Sequence, residues 1–330
     1  MITWLNARTP TTLNITLNNN VNINIVVQNV GGFRGECRMG SGPKSAILRQ
    51  IVTRQTDFLI LTETKTKKSQ IFQNKNCFQI KPKLATSQEG VKLGVAIYAN
   101  DKYTLIKDSV HESNIPGHYI VAVFRNKNFH IIVAGVYGPS DHSDSTSMHM
   151  FQQLNEDIIL LKQLYEIQSV LVAGDFNLAL HETDSSSGKL LKPRATESLH
   201  ELIDAHQLFD TAQRQHPVEH TWHRRGMASQ SSRLDYVLTS TSLENVNYSM
   251  KFTINAFDHA TLKVRIGKPE MKKPAMKDYI LGKEEFIIEM SEEIKTFREK
   301  FTLSSCNLLQ DGGGEETDDL DFQTDRPPCG

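Results

Sequence analysis

One stretch of the chain reads Val170-Leu171-Val172-Ala173-Gly174-Asp175-Phe176-Asn177, and it decides the fold class. Its first four residues are apolar without alternation, which predicts a short strand covered on both faces. The apolar run then stops, and a carboxylate follows at Asp175. Phe58 to Glu63 repeats the arrangement, because four apolar residues and a threonine precede the glutamate. Buried strands that end in carboxylates favour a layered α/β fold with a site at the strand ends.

Further strands and a few helices surround these two runs. Apolar or alternating patterns predict strands over 21–29, 92–99, 103–110, 119–125, 129–136, 219–223, 233–239, 247–254 and 260–266. Helical spacing of apolar residues predicts helices over 44–55, 148–165 and 196–206. Many strands with few helices predict a four-layered α/β sandwich, in which helices flank two packed mixed β-sheets. The alternative, a doubly wound parallel sheet, needs more helices than the pattern supplies.

Charge is distributed unevenly along the 330 residues, which carry 37 Lys and Arg against 38 Asp and Glu. Residues 268–330 hold 9 basic and 15 acidic residues, a net of −6, so residues 1–267 hold 28 and 23, a net of +5. The near-neutral total therefore does not argue against a nucleic-acid partner. We predict a polar leader (1–20) that we expect to be disordered, one folded domain (21–267), a linker (268–301) with a charged amphipathic helix over 278–301, and an acidic disordered tail (302–330).

The sequence contains few features that indicate a cellular location. No apolar run reaches the roughly 18 residues that a transmembrane helix needs, and the N-terminus lacks the basic-then-apolar order of a secretory signal. The four cysteines lack CxxC spacing, which favours neither a zinc site nor a disulfide framework. We predict no membrane association and a location in the nucleus or cytoplasm.

Polar residues at or just past the predicted strand ends carry the chemistry. They are Asn29, Glu63, Tyr137, Asp175, Asn177, Asp235, Asp258 and His259. Carboxylate and amide oxygens bind hard cations such as Mg²⁺. An Asp and an Asn two residues apart on an extended segment face the same side, so one can activate a water while the other contacts a phosphate oxygen. These residue types suit the metal-assisted hydrolysis of a phosphodiester.

Each of these residues alone also fits an ordinary structural role. Gly174 to Asn177 can be an Asx turn, Asp258-His259 can cap a helix, and Arg233 can be an exposed strand residue. Order and spacing along the chain together favour the catalytic interpretation.

Six motifs occur in order across residues 21–267. They are Gln28-Asn29-Val30-Gly31-Gly32, Leu61-Thr62-Glu63-Thr64-Lys65, Val136-Tyr137-Gly138-Pro139, Gly174-Asp175-Phe176-Asn177, Ser232-Arg233-Leu234-Asp235-Tyr236-Val237-Leu238 and Asp258-His259. This series resembles the endonuclease/exonuclease/phosphatase superfamily, which includes DNase I and the apurinic/apyrimidinic endonucleases. Asp184 and His220-Thr221-Trp222 make it look most like the endonuclease domain of LINE-type (non-LTR) retrotransposons. The resemblance implies the DNase I-like form of the four-layered sandwich.

The resemblance also implies roles for the polar residues. Glu63 would be the main ligand of Mg²⁺, with Mn²⁺ as an alternative ion, Asn29 would support the metal, and Asp258 would lie at a second metal position. Asp175 would activate the attacking water, Asn177 and Tyr137 would contact the phosphate, and Asp235 would orient His259 for stabilising the transition state. The implied product ends are a 3′-hydroxyl and a 5′-phosphate. Two positions depart from the family pattern: Gly31 stands where many members have an acid, and Phe257 stands where serine is usual.

Double-stranded DNA is the expected partner. The residues predicted to bind it are Lys65, Trp222, Arg224, Arg225 and Arg233. Ser232 stands where an abasic-site enzyme of the family would usually have an aromatic residue, which favours nicking of intact DNA. The alternatives are an abasic-site repair endonuclease, a phosphoesterase acting on lipid or inositol phosphates, and a decayed retroelement relic that only binds DNA.

Overall fold

The computed structural model describes residues 22–33, 42–65, 81–86, 93–127, 129–140, 143–212, 219–224, 230–240, 246–253, 256–267, 288 and 291–296. The chain divides into two units, Met1–Lys268 and Pro269–Gly330. Of the helix predicted over 278–301, residues 288 and 291–296 are described, and they are helical and exposed. The predicted leader and acidic tail lie outside the described residues.

Among its described residues, the first unit contains strands and three α-helices in an order without a regular βαβ repeat. In chain order the elements are β1 (Ile23–Asn29), α1 (Pro43–Ile51), β2 (Phe58–Thr62), β3 (Lys81–Thr86), β4 (Val95–Ala99), β5 (Thr104–Leu105), β6 (His111–Glu112), β7 (Tyr119–Arg125), β8 (His130–Tyr137), α2 (Asp144–Tyr165), β9 (Val170–Asp175), α3 (Pro193–Ala205), β10 (Leu208–Asp210), β11 (Trp222–His223), β12 (Ser231–Ser232), β13 (Asp235–Ser240), β14 (Val246–Lys251) and β15 (Thr261–Ile266). Among the described residues, no helix combines the length and the apolar character needed to cross a membrane.

Two mixed sheets contain most of the strands. The first has the order β14-β15-β1-β2-β4-β3, and the second has the order β10-β13-β9-β8-β7-β5 with β6 beside β7. The pairs β1–β2 and β8–β9 are parallel, and the other pairs within the two sheets are antiparallel. β11 and β12 form a separate antiparallel pair.

Three apolar clusters separate four layers. The central cluster fills the space between the two sheets. A second cluster packs Leu48 of α1 on the outer face of the first sheet, against Leu59 and Leu61. The third packs α2 and α3 on the outer face of the second sheet. The predicted four-layered α/β sandwich is therefore confirmed, and the doubly wound alternative is wrong.

Side-chain hydrogen bonds move some element ends away from the predicted ones. α2 begins at Asp144, four residues before the predicted start, because Ser143 caps it by accepting the Thr146 N–H. The single strand predicted over 103–110 is wrong. Its second half forms a 3₁₀ turn whose Ser109 hydroxyl accepts the Val123 N–H of β7. That hydroxyl replaces a backbone acceptor, so the strand is not needed there.

Candidate active site

The core between the sheets ends in polar residues at one end of the sandwich. In β9, Ala173 belongs to the inter-sheet core, and Asp175 continues the same face two residues later. Strand pairing places Tyr137 of β8 and Asp235 of β13 directly opposite Asp175, one on each side. Asn29 ends β1 in the facing sheet, and its side-chain amide reaches Asp175. Residues far apart in sequence therefore converge because four inward-facing rows end at one place.

Close backbone approach at this end requires two glycines. A Cβ at Gly174 would collide with the carbonyl oxygen of Val136 on the neighbouring strand, and φ of Gly174 is +149°. A Cβ at Gly138 would collide with the carbonyl oxygen of Phe176. Glycine is the residue that permits both contacts. The Gly-Pro and Gly-Asp motifs thus bring the ends of β8 and β9 together.

Asp175 is 1% exposed and is fixed by two amide donors. Asn29 Nδ2 donates to Asp175 Oδ2 at 2.8 Å, and the Asn177 backbone N–H donates to Asp175 Oδ1 at 2.9 Å. The second hydrogen bond forms an Asx turn. The segment Gly174 to Asn177 is therefore both a turn and part of the candidate site. Asn177 has φ of 49°, and its Nδ2 donates to Gly138 O at 2.9 Å. Its side chain is thereby held at the rim of the site.

His259 and Asp235 form a buried pair beside Asp175. His259 Nδ1 donates to Asp235 Oδ2 at 2.7 Å, and His259 Nε2 lies 3.8 Å from Asp175 Oδ2. Burial lowers the pKa of His259, but the charges of Asp235 and Asp175 outweigh burial and raise that pKa above its usual range. Burial, opposed by the charge of His259 and reinforced by that of Asp235, raises the pKa of Asp175. The arrangement favours a protonated imidazole and a strongly basic carboxylate.

Tyr137 is 4% exposed and lies among the carboxylates of the site. Burial, the charge of Asp175 and then the charge of Glu63 raise the pKa of its hydroxyl, while hydrogen bonds from Ser140 and Asn177 oppose them. The phenol therefore stays protonated and is available as a donor. Tyr137 pairs with Asp175 across β8 and β9, and its hydroxyl is close enough to Asp175 and Glu63 for their charges to raise its pKa.

Sequence reasoning missed His118, which supports Tyr137. His118 Nδ1 donates to the Tyr137 carbonyl oxygen at 2.6 Å, and the two rings stack with centroids 6.3 Å apart and planes 14° from parallel. The Tyr137 N–H in turn donates to the His118 carbonyl oxygen. His118 directly precedes β7 and lies opposite the end of β8. This position is the sequence signal that could have identified His118.

Glu63 follows β2 in a left-handed backbone conformation, with φ of 53°. Lys65, with φ of 49°, forms an ion pair with the Glu63 carboxylate. Two non-glycine residues of positive φ within three positions indicate backbone strain next to the site. Lys65 was predicted to contact DNA, and in this structure its ammonium group lies on Glu63.

A family model supports the interpretation of this geometry. The model of the Endonuclease/Exonuclease/phosphatase family matches residues 26–250, which carry five of the six motifs, all except Asp258-His259. The chain belongs to this family. The superfamily predicted from the motifs is thus confirmed. No curated protein sequence matches the chain.

Several solved structures share the fold. An AP endonuclease from Leishmania major has a TM-score of 0.59 at 14% identity and covers 80% of this chain and 97% of its own. The 3′ phosphatase NExo from Neisseria, bound to a product DNA hairpin, has a TM-score of 0.58 at 18% identity and covers 74% and 100%. The endonuclease domain of TRAS1, a telomere-specific non-LTR retrotransposon, has a TM-score of 0.50 at 13% identity and covers 74% and 98%. At these identities the likeness shows the fold alone.

The family is generally dependent on divalent metals, and the residues present fit one. Ligand atoms of Asp175, Asp235 and His259 lie within 4.8 Å of one another. The His259–Asp235 hydrogen bond already uses two of them, whereas Glu63 and Asn29 offer oxygen atoms, which suit a hard cation. Burial also raises the pKa of Asp175, so a nearby cation would stabilise its charged form. Asp258, half-buried, lies with its Oδ1 3.7 Å from the position of a Cβ at Gly31.

The antiparallel pair of β11 and β12 lies beside His259. Trp222 and Ser232 pair across β11 and β12, and Trp222 also forms an isolated bridge with His259. Arg224 is exposed, and its guanidinium donates to Gln230 Oε1 at 2.8 Å. Arg225 lies outside the described residues. Trp222 and Arg224 are therefore placed at the surface next to the site.

The structure corrects the prediction for Arg233. Its guanidinium is 1% exposed, donates from Nε to Asp184 Oδ1 at 2.9 Å and from Nη1 to Asp210 Oδ2 at 2.5 Å, and lies over the Tyr236 ring at 4.4 Å. A side chain buried in this way cannot reach DNA from the folded protein.

Proposed function

We propose that this protein is a Mg²⁺-dependent phosphodiester hydrolase that nicks DNA. One observation carries the proposal: Asp175, the His259–Asp235 pair and Tyr137 meet at one end of the inter-sheet core, with Glu63 beside them. An acid–base pair, a hydroxyl donor and an oxygen ligand at one end of the core match the requirements of in-line attack on a phosphodiester.

The chain's own residues divide the work between attack and charge stabilisation. Asp175, with its raised pKa, accepts a proton from the attacking water, and Asn29 fixes the orientation of its carboxylate. His259 Nε2–H donates to a phosphate oxygen as negative charge develops, while Asp235 holds the ring in place through Nδ1. The Tyr137 hydroxyl donates a hydrogen bond to a second oxygen, and the Asn177 amide donates another at the rim.

Glu63 and Asn29 would hold the divalent ion. When bound, Mg²⁺ supplies positive charge that stabilises the developing negative charge on the phosphate and the leaving oxygen. Lys65 is paired with Glu63 in this structure. With the ion bound to Glu63, Lys65 would turn toward the DNA phosphates, as its sequence position predicts. Water attacks the phosphorus as Asp175 takes its proton, and the bond from phosphorus to the 3′ oxygen breaks. The departing oxygen takes a proton from solvent, which leaves a 3′-hydroxyl and a 5′-phosphate.

Double-stranded DNA is the proposed substrate. The net charge of +5 on residues 1–267 supports phosphate binding, and the pair of β11 and β12, with Trp222 and the neighbouring Arg224, lies next to His259. The motifs around Asp184 and Trp222 favour an endonuclease of a LINE-type retroelement, and the fold shared with the TRAS1 domain supports it. Such a role places the protein in the nucleus or cytoplasm.

Abasic-site cleavage is the second candidate, because AP endonucleases from Leishmania major and Archaeoglobus fulgidus share the fold. Ser232 pairs with Trp222 and offers no aromatic ring to an extruded sugar, so we place intact DNA first.

The test is nicking of supercoiled plasmid with Mg²⁺, with Mn²⁺ and with EDTA. Wild-type protein should convert supercoiled to open-circular plasmid with either ion and not with EDTA. DNA ligase should reseal the nicks, because ligation needs a 3′-hydroxyl and a 5′-phosphate. Glu63→Gln and His259→Ala should each lose activity by about 10²-fold or more. Failure of the wild type to nick would contradict the proposal.

Matched control variants distinguish the loss of an active-site group from a general effect of substitution on folding. Glu197→Gln changes an exposed glutamate on α3, and His130→Ala changes an exposed histidine at the start of β8. Both should nick at the wild-type rate. A duplex with one abasic site, cleaved much faster than intact duplex, would establish the second candidate instead.

A further inference from the structure

Gln28 is a buried polar residue on an apolar face of β1. It directly precedes Asn29 and is 0% exposed. Side chains two residues apart on a strand lie on the same face, and the neighbours of Gln28 on its face are Val26 and Val30, which belong to the apolar cluster between α1 and the first sheet. An amide in such a layer loses its hydration and needs hydrogen-bond partners inside the protein. The partners of Gln28 therefore indicate what the residue does.

The side-chain amide of Gln28 joins the backbones of two active-site residues. Its Nε2 donates to the carbonyl oxygen of Asn29 at 2.7 Å and to the carbonyl oxygen of His259 at 3.3 Å. Its Oε1 accepts a hydrogen bond from the Thr261 hydroxyl. Because the two carbonyl oxygens can only accept, they determine which end of the amide is the nitrogen, and the hydroxyl then has to donate to Oε1. Both polar atoms of the Gln28 side chain are thus engaged.

These hydrogen bonds lie where β1 and β15 separate. The paired register of the two strands ends at Val27 opposite Leu262. Beyond that point Asn29 pairs with β2 on its other side, whereas the segment of His259 bridges to β11. The Gln28 side chain therefore connects the two segments where the backbone pairing between them ends.

The same two segments meet Asp175 on the inner face of the first sheet. Asn29 Nδ2 donates to Asp175 Oδ2 at 2.8 Å, and His259 Nε2 lies 3.8 Å from the same oxygen. Because the two side chains reach Asp175 from separate segments, the spacing of those segments determines the distance between the imidazole and the carboxylate. A misplacement of about 1 Å between reacting groups can lower a rate by about 10²-fold.

We propose that Gln28 is a positioning residue of the active site, which holds the backbone of His259 against that of Asn29 and so places the imidazole beside Asp175. This inference rests on the function proposed above and adds to it a residue that meets neither the metal ion nor the substrate. Because Gln28 is fully buried behind the site, its loss should lower kcat and leave KM unchanged. An amide with a purely structural role would lower stability without changing the chemical step.

Gln28→Met removes both donors and keeps the length of the side chain. Nicking per folded molecule, measured well below the melting temperature, should show about a tenfold lower kcat with KM within about twofold of the wild-type value. Thr261→Val removes the hydroxyl that orients the amide and should lower kcat by about threefold. Thr239→Val is the matched control, because the Thr239 hydroxyl is also buried on a strand but has no hydrogen-bond partner among the described residues. This control should nick at the wild-type rate.

A double-mutant cycle separates positioning of the imidazole from a general effect on the fold. In the His259→Ala background, Gln28→Met should reduce nicking by less than about a further twofold, because no imidazole remains to be positioned. Equal losses in the two backgrounds would overturn the inference and would leave the proposed nuclease function in place.

The imidazole also provides a measurement that does not depend on activity. The proton on His259 Nδ1, which is hydrogen-bonded to Asp235, gives a far-downfield proton NMR resonance of the full chain, identified by its absence in His259→Ala. Gln28→Met and Thr261→Val should shift this resonance, and Thr239→Val should not. An unshifted resonance in Gln28→Met and Thr261→Val would overturn the inference.

The two measurements keep the inference separate from the proposed function. Absence of nicking by the wild type would contradict the function, while the resonance would still report whether Gln28 places His259. If Gln28→Met fails to fold, Thr261→Val decides, and an unchanged kcat in that variant would overturn the inference.

Discussion

Arg233 and Asp235 are two residues apart, and each is 1% exposed, yet their surroundings differ in kind. The Arg233 guanidinium is matched on both sides by Asp184 and Asp210, and its charge is stabilised so that its pKa rises although burial opposes this. Asp235 binds His259 through Oδ2, while its Oδ1 has no hydrogen-bond partner among the residues that the structure describes.

The difference separates two uses of a buried charge. A matched cluster stabilises one conformation and leaves no group for a substrate. An incompletely matched cluster costs stability and keeps donors and acceptors for a ligand, as active sites do. Substitutions in the first cluster should therefore change folding, and substitutions in the second should change activity.

Asp175→Asn should give the largest effect. The amide retains the size of the side chain but cannot accept a proton from water, so we expect nicking to fall by about 10³-fold or more. Because burial raises the pKa of Asp175, its ionised form is disfavoured in the folded protein. The amide can replace one of the two hydrogen bonds that the carboxylate accepts, and relief of the buried charge offsets the lost one, so the melting temperature should stay close to that of the wild type.

Asp108→Asn is the matched control, since Asp108 is exposed in the 3₁₀ turn after β5. It should alter neither quantity. A large loss of thermal stability in Asp175→Asn would show that this carboxylate belongs with the structural cluster.

Arg233→Met should give the next largest effect, and on stability. It leaves Asp184 and Asp210 buried without their cation, which costs about 3–5 kcal/mol of unfolding free energy. Urea unfolding measures this loss. Nicking at low temperature, per folded molecule, should equal that of the wild type, because Arg233 touches no residue of the active site.

Arg224→Met provides the contrast. Arg224 is exposed directly after β11, so its loss should change stability by no more than about 0.5 kcal/mol and weaken DNA binding. Unchanged stability in Arg233→Met together with weaker DNA binding would restore the role that its sequence position first indicated.

The two clusters also show what the sequence could and could not predict. The strand-end motifs of Asp175 and Asp235 predict the site because inward-facing rows of neighbouring strands must end together. The same argument fails for Arg233, since nothing local reveals that Asp184 and Asp210, distant in sequence, enclose it. His118 escaped for the same reason: it donates to a backbone carbonyl of another segment, which leaves no pattern in the side chains.

His206 should make the fold sensitive to acid. It is 2% exposed, and neither ring nitrogen has a hydrogen-bond partner among the described residues. Burial and then the charge of Lys162 lower its pKa to about 4. This folded-state pKa lies below the unfolded value of about 6.5. The contribution of the neutral His206 to the free energy of unfolding is therefore complete above pH 6.5 and is lost as the pH falls toward 4. The loss is up to about 3 kcal/mol, at about 1.4 kcal/mol for each pKa unit.

Urea unfolding at pH 7 and pH 4.5 measures this slope. His206→Met should reduce the difference in unfolding free energy between the two pH values. His149→Met, at an exposed position of α2, should retain the wild-type difference. An unaltered slope in His206→Met would assign the acid sensitivity to other groups.

His118 should show the smallest effect, because it acts through Tyr137. His118→Phe keeps a ring against Tyr137 and removes the Nδ1 donor, so one hydrogen bond is lost. A net loss of about 1 kcal/mol corresponds to about a fivefold lower kcat for nicking. KM should stay at the wild-type value, because His118 is 5% exposed and lies behind Tyr137, where it does not meet the substrate.

His118→Asn separates the two contacts, since its amide Nδ2 can replace the Nδ1 donor but provides no ring. Recovery of kcat in His118→Asn would assign the positioning of Tyr137 to the hydrogen bond. Equal losses in both variants, with lower melting temperatures, would make His118 a packing residue of β7. Tyr137→Phe provides the reference: if its kcat already equals that of His118→Phe, the histidine acts only by aiming the hydroxyl, and the two changes combined should cost no more than either alone.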